Sequence, residues 1–349
     1  MSPNPPSVSR VRAYLRFILA VLWFFLALGL AHRGALGLAT EAWQPLVEQG
    51  MLVFLLLTGY AGMGMMLDRQ QYPLRAQGLP RREGWLSECG LGVVAGWAIA
   101  VVCVLPLLIG GGIAVVLILE RPAWAWLLAD AAFFALLALA EEVAFRGYGF
   151  QRFVDAVGPL GAMLGFAAFY AIVQALVPGS NHASFAVSLA LSLLLSMAYL
   201  RSRALWVSWG INFAWKASRA LLFGLAVNGV NSHSPVVQGN PMGPLWLTGG
   251  GFGLDGSWVT CAVLLAALPV VYRLTRELDY RYNAPVIVAG GIAVDLDAAA
   301  RSQHEAGIAP TAPVAHTTSA SGLVQILPAV EQASPQPQPP PSEPPPTSN

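Results

Sequence analysis

Eight apolar segments recur along the 349-residue chain and constrain its fold more than any other feature. A helix needs about 20 predominantly apolar residues to cross a bilayer. The segments that approach this length are 13–32, 47–67, 90–108, 123–145, 159–178, 184–200, 204–225 and 257–272. Only 11% of the residues are charged, against about 25% in soluble domains, and 56% are hydrophobic. The sequence therefore predicts an all-α, polytopic membrane helix bundle.

The first apolar segment also has features of a secretory signal peptide, because Arg10, Arg12 and Arg16 precede its apolar core. However, the stretch from Phe17 to Ala31 is followed by no clean cleavage site of the small-x-small type. We therefore expect this segment to be retained as the first membrane helix.

Arginines are unevenly distributed among the loops that join the apolar segments. One set of loops, alternating along the chain, carries Arg10, Arg12, Arg69, Arg75, Arg81, Arg82, Arg146, Arg152, Arg201, Arg203, Arg273 and Arg276. The opposite set carries only Arg33 and Arg121. Because positive residues accumulate in cytoplasmic loops, this asymmetry predicts a multi-pass protein of the cell membrane with both termini in the cytoplasm.

Composition divides the chain into three parts. Residues 1–12 are expected to be a short cytoplasmic N-terminus, and 13–275 a transmembrane domain. Residues 276–349 are rich in proline and are expected to be a disordered cytoplasmic tail. The net charge of +1 gives no indication of nucleic-acid binding, so the partners that composition predicts are membrane lipids.

A cluster of charges closes the fourth apolar segment. The run before it contains a single charge, Asp130, and then ends in EEVAFR, Glu141–Arg146. Ionisable groups at the centre of a membrane helix cost ~2.5–3.5 kcal/mol each. On a helix, Glu142 and Arg146 can pair because they lie four residues apart, whereas Glu141 points about 100° away. Two interpretations stay open: charges that snorkel at a helix end, or a buried site with Glu141 as general base.

Cysteines and histidines give no sign of a metal site. The three cysteines, Cys89, Cys103 and Cys261, lie in or beside apolar segments and are typical of buried apolar positions. The histidines fall in loops, at a span end or in the tail: His32, His182, His233, His304 and His316. The sequence therefore predicts no metal and no cofactor. His182 is nearest to the membrane core, but it is expected on the side opposite to Glu141.

The segment Glu141–Arg146 resembles the first motif, Glu-Glu-x-x-x-Arg, of the CPBP family. That family comprises CAAX-type prenyl-protein endopeptidases and bacteriocin-processing intramembrane proteases. Three further stretches carry the resemblance in the same order, namely Ala198–Trp206, Ser208–Lys216 and Gly243–Gly253. The resemblance covers about residues 85–275. It implies a CAAX-protease-like bundle of about eight transmembrane helices.

The resemblance also implies a catalytic arrangement. In such proteases the first glutamate of the motif activates water, assisted by two histidines and an asparagine on later helices. By resemblance, Glu141 is then the base, and Glu142 and Arg146 support it. The active-site cavity is expected to open to the cytoplasm between the fourth, fifth and seventh helices.

Three positions depart from the family pattern. Gln174 and Asn212 occupy the two histidine positions, and Lys216 occupies the asparagine position. The two amides can orient water, but neither accepts a proton as imidazole does. Lys216 could stabilise an oxyanion, or it could pair with Glu141 and weaken that carboxylate as a base. Because a lysine inside an apolar helix needs a partner, we expect Lys216 to face the bundle interior and meet Glu141 or Glu142.

Three functions remain open from the sequence. The first is an intramembrane endopeptidase, working or repurposed, that acts on a membrane-associated peptide or prenylated protein. The second is a non-catalytic member that binds such a peptide or prenylated chain end in the retained cavity. The third and weakest is a transporter or channel component that uses the buried charges as a substrate path, since the sequence shows no inverted repeat. An ion pair between Glu141 and Lys216 would favour the second function, whereas an open polar space beside Glu141 would favour the first.

Overall fold

The computed structural model of the chain describes residues 10–79 and 81–282, without the side chains of Pro122, Tyr280 and Tyr282. The α-helices are α1 Arg10–Leu38, α2 Gln44–Asp68, α3 Pro73–Ala76, α4 Trp85–Ile109, α5 Arg121–Arg146, α6 Tyr148–Val157, α7 Pro159–Ala175, α8 His182–Ser202, α9 Leu205–Ala217, α10 Leu245–Thr248, α11 Trp258–Leu274 and α12 Arg276–Tyr282. Helix α9 continues as a π-helical turn, Ser218–Leu222. Two strands, β1 Ile113–Leu117 and β2 Val237–Pro241, complete the main elements.

All eight predicted apolar segments contain helix, which confirms the predicted all-α membrane bundle. Five of the described helical segments are long and apolar enough to cross a bilayer: Arg10–Leu38, Glu41–Asp68, Trp85–Ile109, Ala123–Val157 and His182–Ser202. Helices α7 and α11 are apolar but have 17 residues each. At 1.5 Å per residue such a helix is about 25 Å long, slightly less than the ~30 Å hydrocarbon core.

Local sequence explains where several helices begin and end. Helix α4 ends at the glycine run, where Gly111 takes a positive φ of 71° that suits a residue without a Cβ. Helix α8 begins at a capping box. The Asn181 side chain accepts from the Ser184 amide at 2.8 Å, and the Ser184 hydroxyl accepts from the Asn181 amide at 2.8 Å.

Several contacts hold one end of the bundle together. The Arg82 guanidinium donates to the carbonyl of Ser202 at 2.7 Å, and Arg152 pairs with Asp68 at 3.5 Å. The first contact joins the segment before α4 to the end of α8, and the second joins α6 to the end of α2. We call this the arginine-rich end, which carries Arg69, Arg75, Arg81, Arg82, Arg152 and Arg201.

Helices α4 and α9 pack with their backbones unusually close. A Cβ built on Gly96 would lie well inside contact distance of the Ile211 carbonyl oxygen, and one on Gly92 would collide with Val207. Small residues permit such approach between membrane helices. On its other side α9 packs on α5, where the Trp209 indole donates to the Ala135 carbonyl at 3.1 Å. The glycines of α4 therefore determine how closely α9 packs against α4, and hence where its other side contacts α5.

The segment between α9 and α11 contains regular structure. Strand β2 pairs antiparallel with β1, with Ile113 opposite Pro241 and Leu117 opposite Val237. Gly253, at φ 81°, lies so close to Ala226 that an added Cβ would collide with the carbonyl oxygen of Ala226. The segment is therefore tied to the end of α4 and to itself.

Helix α12 falls within the part of the chain expected to be a disordered tail from residue 276. It is helical to Tyr282, and Arg201 pairs with Asp279 at 3.0 Å. An ion pair back to α8 gives these first residues of the expected tail an ordered position. The rest of the tail, from residue 283, lies outside the described residues.

Candidate functional site

Helices α5 and α9 bring the predicted polar residues together at the centre of the bundle. Glu142, Arg146 and Asn212 have no exposed surface, and Lys216 is 1% exposed. Glu141 keeps 13% of its side chain exposed. Because residues four apart lie on one helix face, Glu142 and Arg146 share a face of α5, and Asn212 and Lys216 share a face of α9. The charges are therefore buried between helices and do not snorkel.

Glu142 and Arg146 form the innermost pair. Arg146 Nη1 lies 3.1 Å from Glu142 Oε1. Arg146 Nη2 also donates to the hydroxyl of Ser192 at 3.0 Å and to its carbonyl at 3.3 Å. A buried charge needs both an ion partner and further hydrogen bonds, and Ser192 on α8 supplies the latter. The predicted support of Glu142 by Arg146 is thus present as a contact.

Asn212 joins the two carboxylates. Its Nδ2 donates to Glu141 Oε2 at 2.8 Å and to Glu142 Oε1 at 3.0 Å. One amide group therefore uses both of its N–H bonds on the acidic pair. Asn212, which the sequence analysis placed at a histidine position of the resembled family, is thus a donor to both carboxylates.

Lys216 forms an ion pair with Glu141, as the sequence analysis expected. Its Nζ contacts Glu141 Oε2, the same oxygen that accepts from Asn212. The ammonium group is almost fully buried, so its charge is balanced locally by the carboxylate. Two donors, one of them cationic, therefore hold one oxygen of the residue proposed to be the base.

A cavity of about 340 Å³ lies beside this pair. Glu141 lines it together with Gln174 and with residues of the segment 227–234, which we call the mouth segment. Gln174 Nε2 donates to the Tyr170 hydroxyl at 3.0 Å, and its Oε1 accepts from Asn228 at 3.5 Å. Gln174 thus shares the cavity with Glu141, but its hydrogen bonds among the described residues go elsewhere.

The cavity beside Glu141 extends in a different direction from the one expected from the sequence. It extends past Asp130 on α5, Pro45 at the start of α2 and Val177 after α7 to the mouth segment. All of these lie at the end of the bundle opposite to the arginine-rich end. The cavity beside Glu141 therefore extends away from the arginine-rich end, which differs from the direction that the sequence analysis expected. The cause is the mouth segment, whose position no local sequence pattern indicates.

Sequence reasoning also missed a second pair that lines the cavity. His233 Nδ1 lies 3.0 Å from Asp130 Oδ1, and the Ser234 amide donates to Asp130 Oδ2 at 2.7 Å. These bonds fasten the mouth segment to α5. The signal in the sequence was a single acid, Asp130, in an apolar helix. Such an acid indicates a polar partner, but it does not identify which residue that partner is. His182, the histidine considered from sequence, is the exposed first residue of α8.

Arg219, one turn beyond Lys216, has a separate partner. Its Nη1 lies 2.8 Å from Asp255 Oδ2, and its guanidinium lies 3.9 Å from the Trp215 ring centroid. Asp255 also accepts from the Asn228 amide at 3.0 Å, which ties the mouth segment to the residues before α11. Within residues 10–79 and 81–282, no group of three or more His, Cys, Asp or Glu side chains could hold a metal ion.

The bundle and its site define a polytopic membrane protein with a buried carboxylate pair held between two helices. Residues 121–218 match the family model of the type II CAAX prenyl endopeptidases, described as Rce1-like. Over these residues the chain is similar to the CAAX-protease family. The match spans α5 to α9 and includes every site residue that the sequence predicted. No curated protein and no solved structure matches the chain.

Proposed function

We propose that this membrane protein is a non-catalytic member of the CAAX-protease family. In this proposal it binds a membrane-associated peptide or a prenylated chain end in the cavity beside Glu141. The observation that carries the proposal is the ion pair between Lys216 and Glu141.

The chemical reason lies in what a general base needs. A carboxylate that activates water must accept a proton in the transition state, and its strength as a base falls when a cation stabilises its charged form. Lys216 and Asn212 both hold Glu141 Oε2. The amides of Gln174 and Asn212 offer no alternative proton acceptor near neutral pH. In this proposal the site keeps the two carboxylates but has amides where the resemblance expects the two histidines.

The cavity suits a ligand that is mostly apolar with a polar end. Its volume of about 340 Å³ falls within the roughly 300–1,000 Å³ range of ligand sites. Apolar side chains of Phe133, Phe134 and Leu137 line the wall on α5. Glu141 and Gln174 supply polar groups at one side. A prenyl chain or an apolar peptide side chain fits such walls by burial of apolar surface.

A second candidate is a working intramembrane endopeptidase. The observation that favours it is that Glu141 lines the cavity and retains some exposure, so a water molecule can reach its carboxylate. In that case Glu141 would activate the water, and Gln174 and Asn212 would orient it. Glu142 and Arg146 would hold the base in place, and Lys216 would stabilise the oxyanion.

Binding in the cavity is tested with a matched pair of variants. Leu137→Trp fills the cavity wall on α5, whereas Leu128→Trp adds the same bulk to an exposed position of the same helix. Binding of a fluorescent farnesylated peptide by the full chain in nanodiscs should weaken at least tenfold in the first variant and stay unchanged in the second. Equal affinity in both variants would exclude this cavity as the binding site.

We also propose that both termini lie on the cytoplasmic side of the cell membrane. The support is the concentration of arginines at one end of the bundle, where positive residues of cytoplasmic loops accumulate. With this orientation the cavity beside Glu141 faces the opposite side of the membrane.

A further inference from the structure

A second, larger cavity lies at the arginine-rich end, apart from the site described above. Its volume is about 630 Å³, and it is lined by α2, residues 71–75, Leu79, Arg81, α5 and α9. Arg75 and Arg81 line it, and both are exposed. It is therefore a basic cavity at the boundary of a membrane bundle.

The two arginines differ from their neighbours in having no carboxylate partner among the described residues. Arg82, next in the chain, pairs with Glu88 at 2.8 Å, and Arg16 pairs with Asp68. Arg75 instead lies 5.1 Å from the centroid of the Tyr72 ring. A guanidinium presents several N–H donors in a planar fork that matches phosphate oxygens. Two such groups on one cavity favour a ligand that carries negative charge.

One wall of the cavity is apolar and comes from three of the longer helices, whereas the rest of the lining belongs to the segment between α2 and α4. Leu57 and Ala61 line it from α2, Leu139 from α5 and Trp206 from α9. Helix α2 lies in one of the segments that can cross a bilayer. An apolar wall along a membrane-spanning helix is suited to an acyl chain. The cavity thus combines a cationic rim with a hydrocarbon-like wall.

We propose that this cavity binds an anionic phospholipid. Its phosphate contacts Arg75 and Arg81, and an acyl chain lies against Ala61 and Leu139. Basic pockets between membrane helices recognise anionic headgroups in this way, and each arginine near a membrane surface contributes ~1 kcal/mol. Phospholipid is also the amphiphile that surrounds α2 at high concentration. The proposal is independent of the function proposed for the cavity beside Glu141.

The experiment titrates the full chain, purified in detergent, with phosphatidylglycerol and with phosphatidylcholine of equal chain length, using native mass spectrometry. Phosphatidylglycerol should bind about 30-fold more tightly. The double variant Arg75→Gln/Arg81→Gln should lose about 30-fold in affinity for phosphatidylglycerol and bind both lipids alike. Ala61→Trp fills the apolar wall and should weaken both lipids.

The matched control is Arg69→Gln/Arg273→Gln, which removes the same charge from exposed positions outside the cavity lining. It should leave the affinity unchanged, and all variants should keep the wild-type melting temperature. An equal loss of affinity in the control would show that binding depends only on the overall positive charge, and it would contradict the proposed site. Glycerol phosphate binding as tightly as the lipid, or a farnesylated peptide displacing it completely, would also overturn the assignment to a phospholipid.

Discussion

At the scale of single residues, the site depends on mutual compensation between buried charges. Glu141 and Lys216 each lie where an isolated charge is costly, and each is the other's counter-ion. Removing one member of a buried pair leaves the other uncompensated, whereas removing both charges together can be nearly neutral. The interaction of this pair can therefore be measured through the free energy of unfolding, without an assay of activity.

The first prediction is a double-mutant cycle on this pair. Lys216→Met should lower the free energy of unfolding by ~3 kcal/mol, because Glu141 is left without its cation. Glu141→Gln should also destabilise, since it leaves a buried ammonium unpaired. The double variant should recover most of either loss, measured by reversible unfolding in mixed micelles. Additive losses would show that the two side chains do not interact.

Residue-scale predictions from the sequence succeeded where local spacing determines geometry. The four-residue spacings place Glu142 with Arg146 on one helix face, and Asn212 with Lys216 on another. That the two faces meet was expected because a lysine inside an apolar helix needs a partner. The Asp130–His233 contact could not be foreseen, because it joins residues 103 positions apart through a segment without regular periodicity. The roles of the site residues in any reaction stay predictions.

At the scale of secondary-structure elements, glycines on α4 set the position of α9 and hence of Lys216. An alanine at Gly96 would force its Cβ against the backbone of α9, whereas Gly90 has open space around it. Gly96→Ala should therefore cost ~1–3 kcal/mol through overpacking. Gly90→Ala, the matched control on the same helix, should be neutral or stabilise by up to ~1 kcal/mol. Equal effects in thermal unfolding would contradict the close approach of α4 and α9.

The mouth segment provides a second element-scale prediction. Asp130 accepts bonds from both His233 and Ser234, so Asp130→Ala removes the attachment of this segment to α5. Amide hydrogen exchange over 227–234 should rise at least tenfold, while exchange in α5 outside this region stays slow. Asp155→Ala, at the arginine-rich end, serves as control and should leave the mouth segment unchanged. Unaltered exchange in Asp130→Ala would show that other contacts hold it.

The helices were predictable from sequence because a long apolar run has few alternatives in a membrane. The pairing of β1 with β2 was not, since β1 is five residues long and its partner begins at Val237. Strand β2 contains glycine and proline, which argue against a strand in sequence-based prediction. Pairing between distant short segments depends on the tertiary fold, which places them at the same end of the bundle.

At the scale of the whole molecule, the distribution of arginines predicts one orientation in the membrane. In a cysteine-free background, Arg33→Cys should react with a membrane-impermeant maleimide in intact cells. Arg273→Cys should react only after permeabilisation, because it lies with the positive residues expected in the cytoplasm. The reverse pattern would contradict the orientation, and labelling of both in intact cells would contradict the predicted number of crossings between them.

In the account given above, Lys216 and Asn212 bind the Glu141 carboxylate, which would otherwise activate water. The direct test is cleavage of membrane-anchored reporter peptides, with and without a prenylated C-terminal cysteine, by the full chain in nanodiscs. Wild-type protein and Glu141→Ala should give the same background, because Glu141 does not act as a base. Wild-type turnover that clearly exceeds background and disappears in Glu141→Ala would contradict the claim and establish a working endopeptidase.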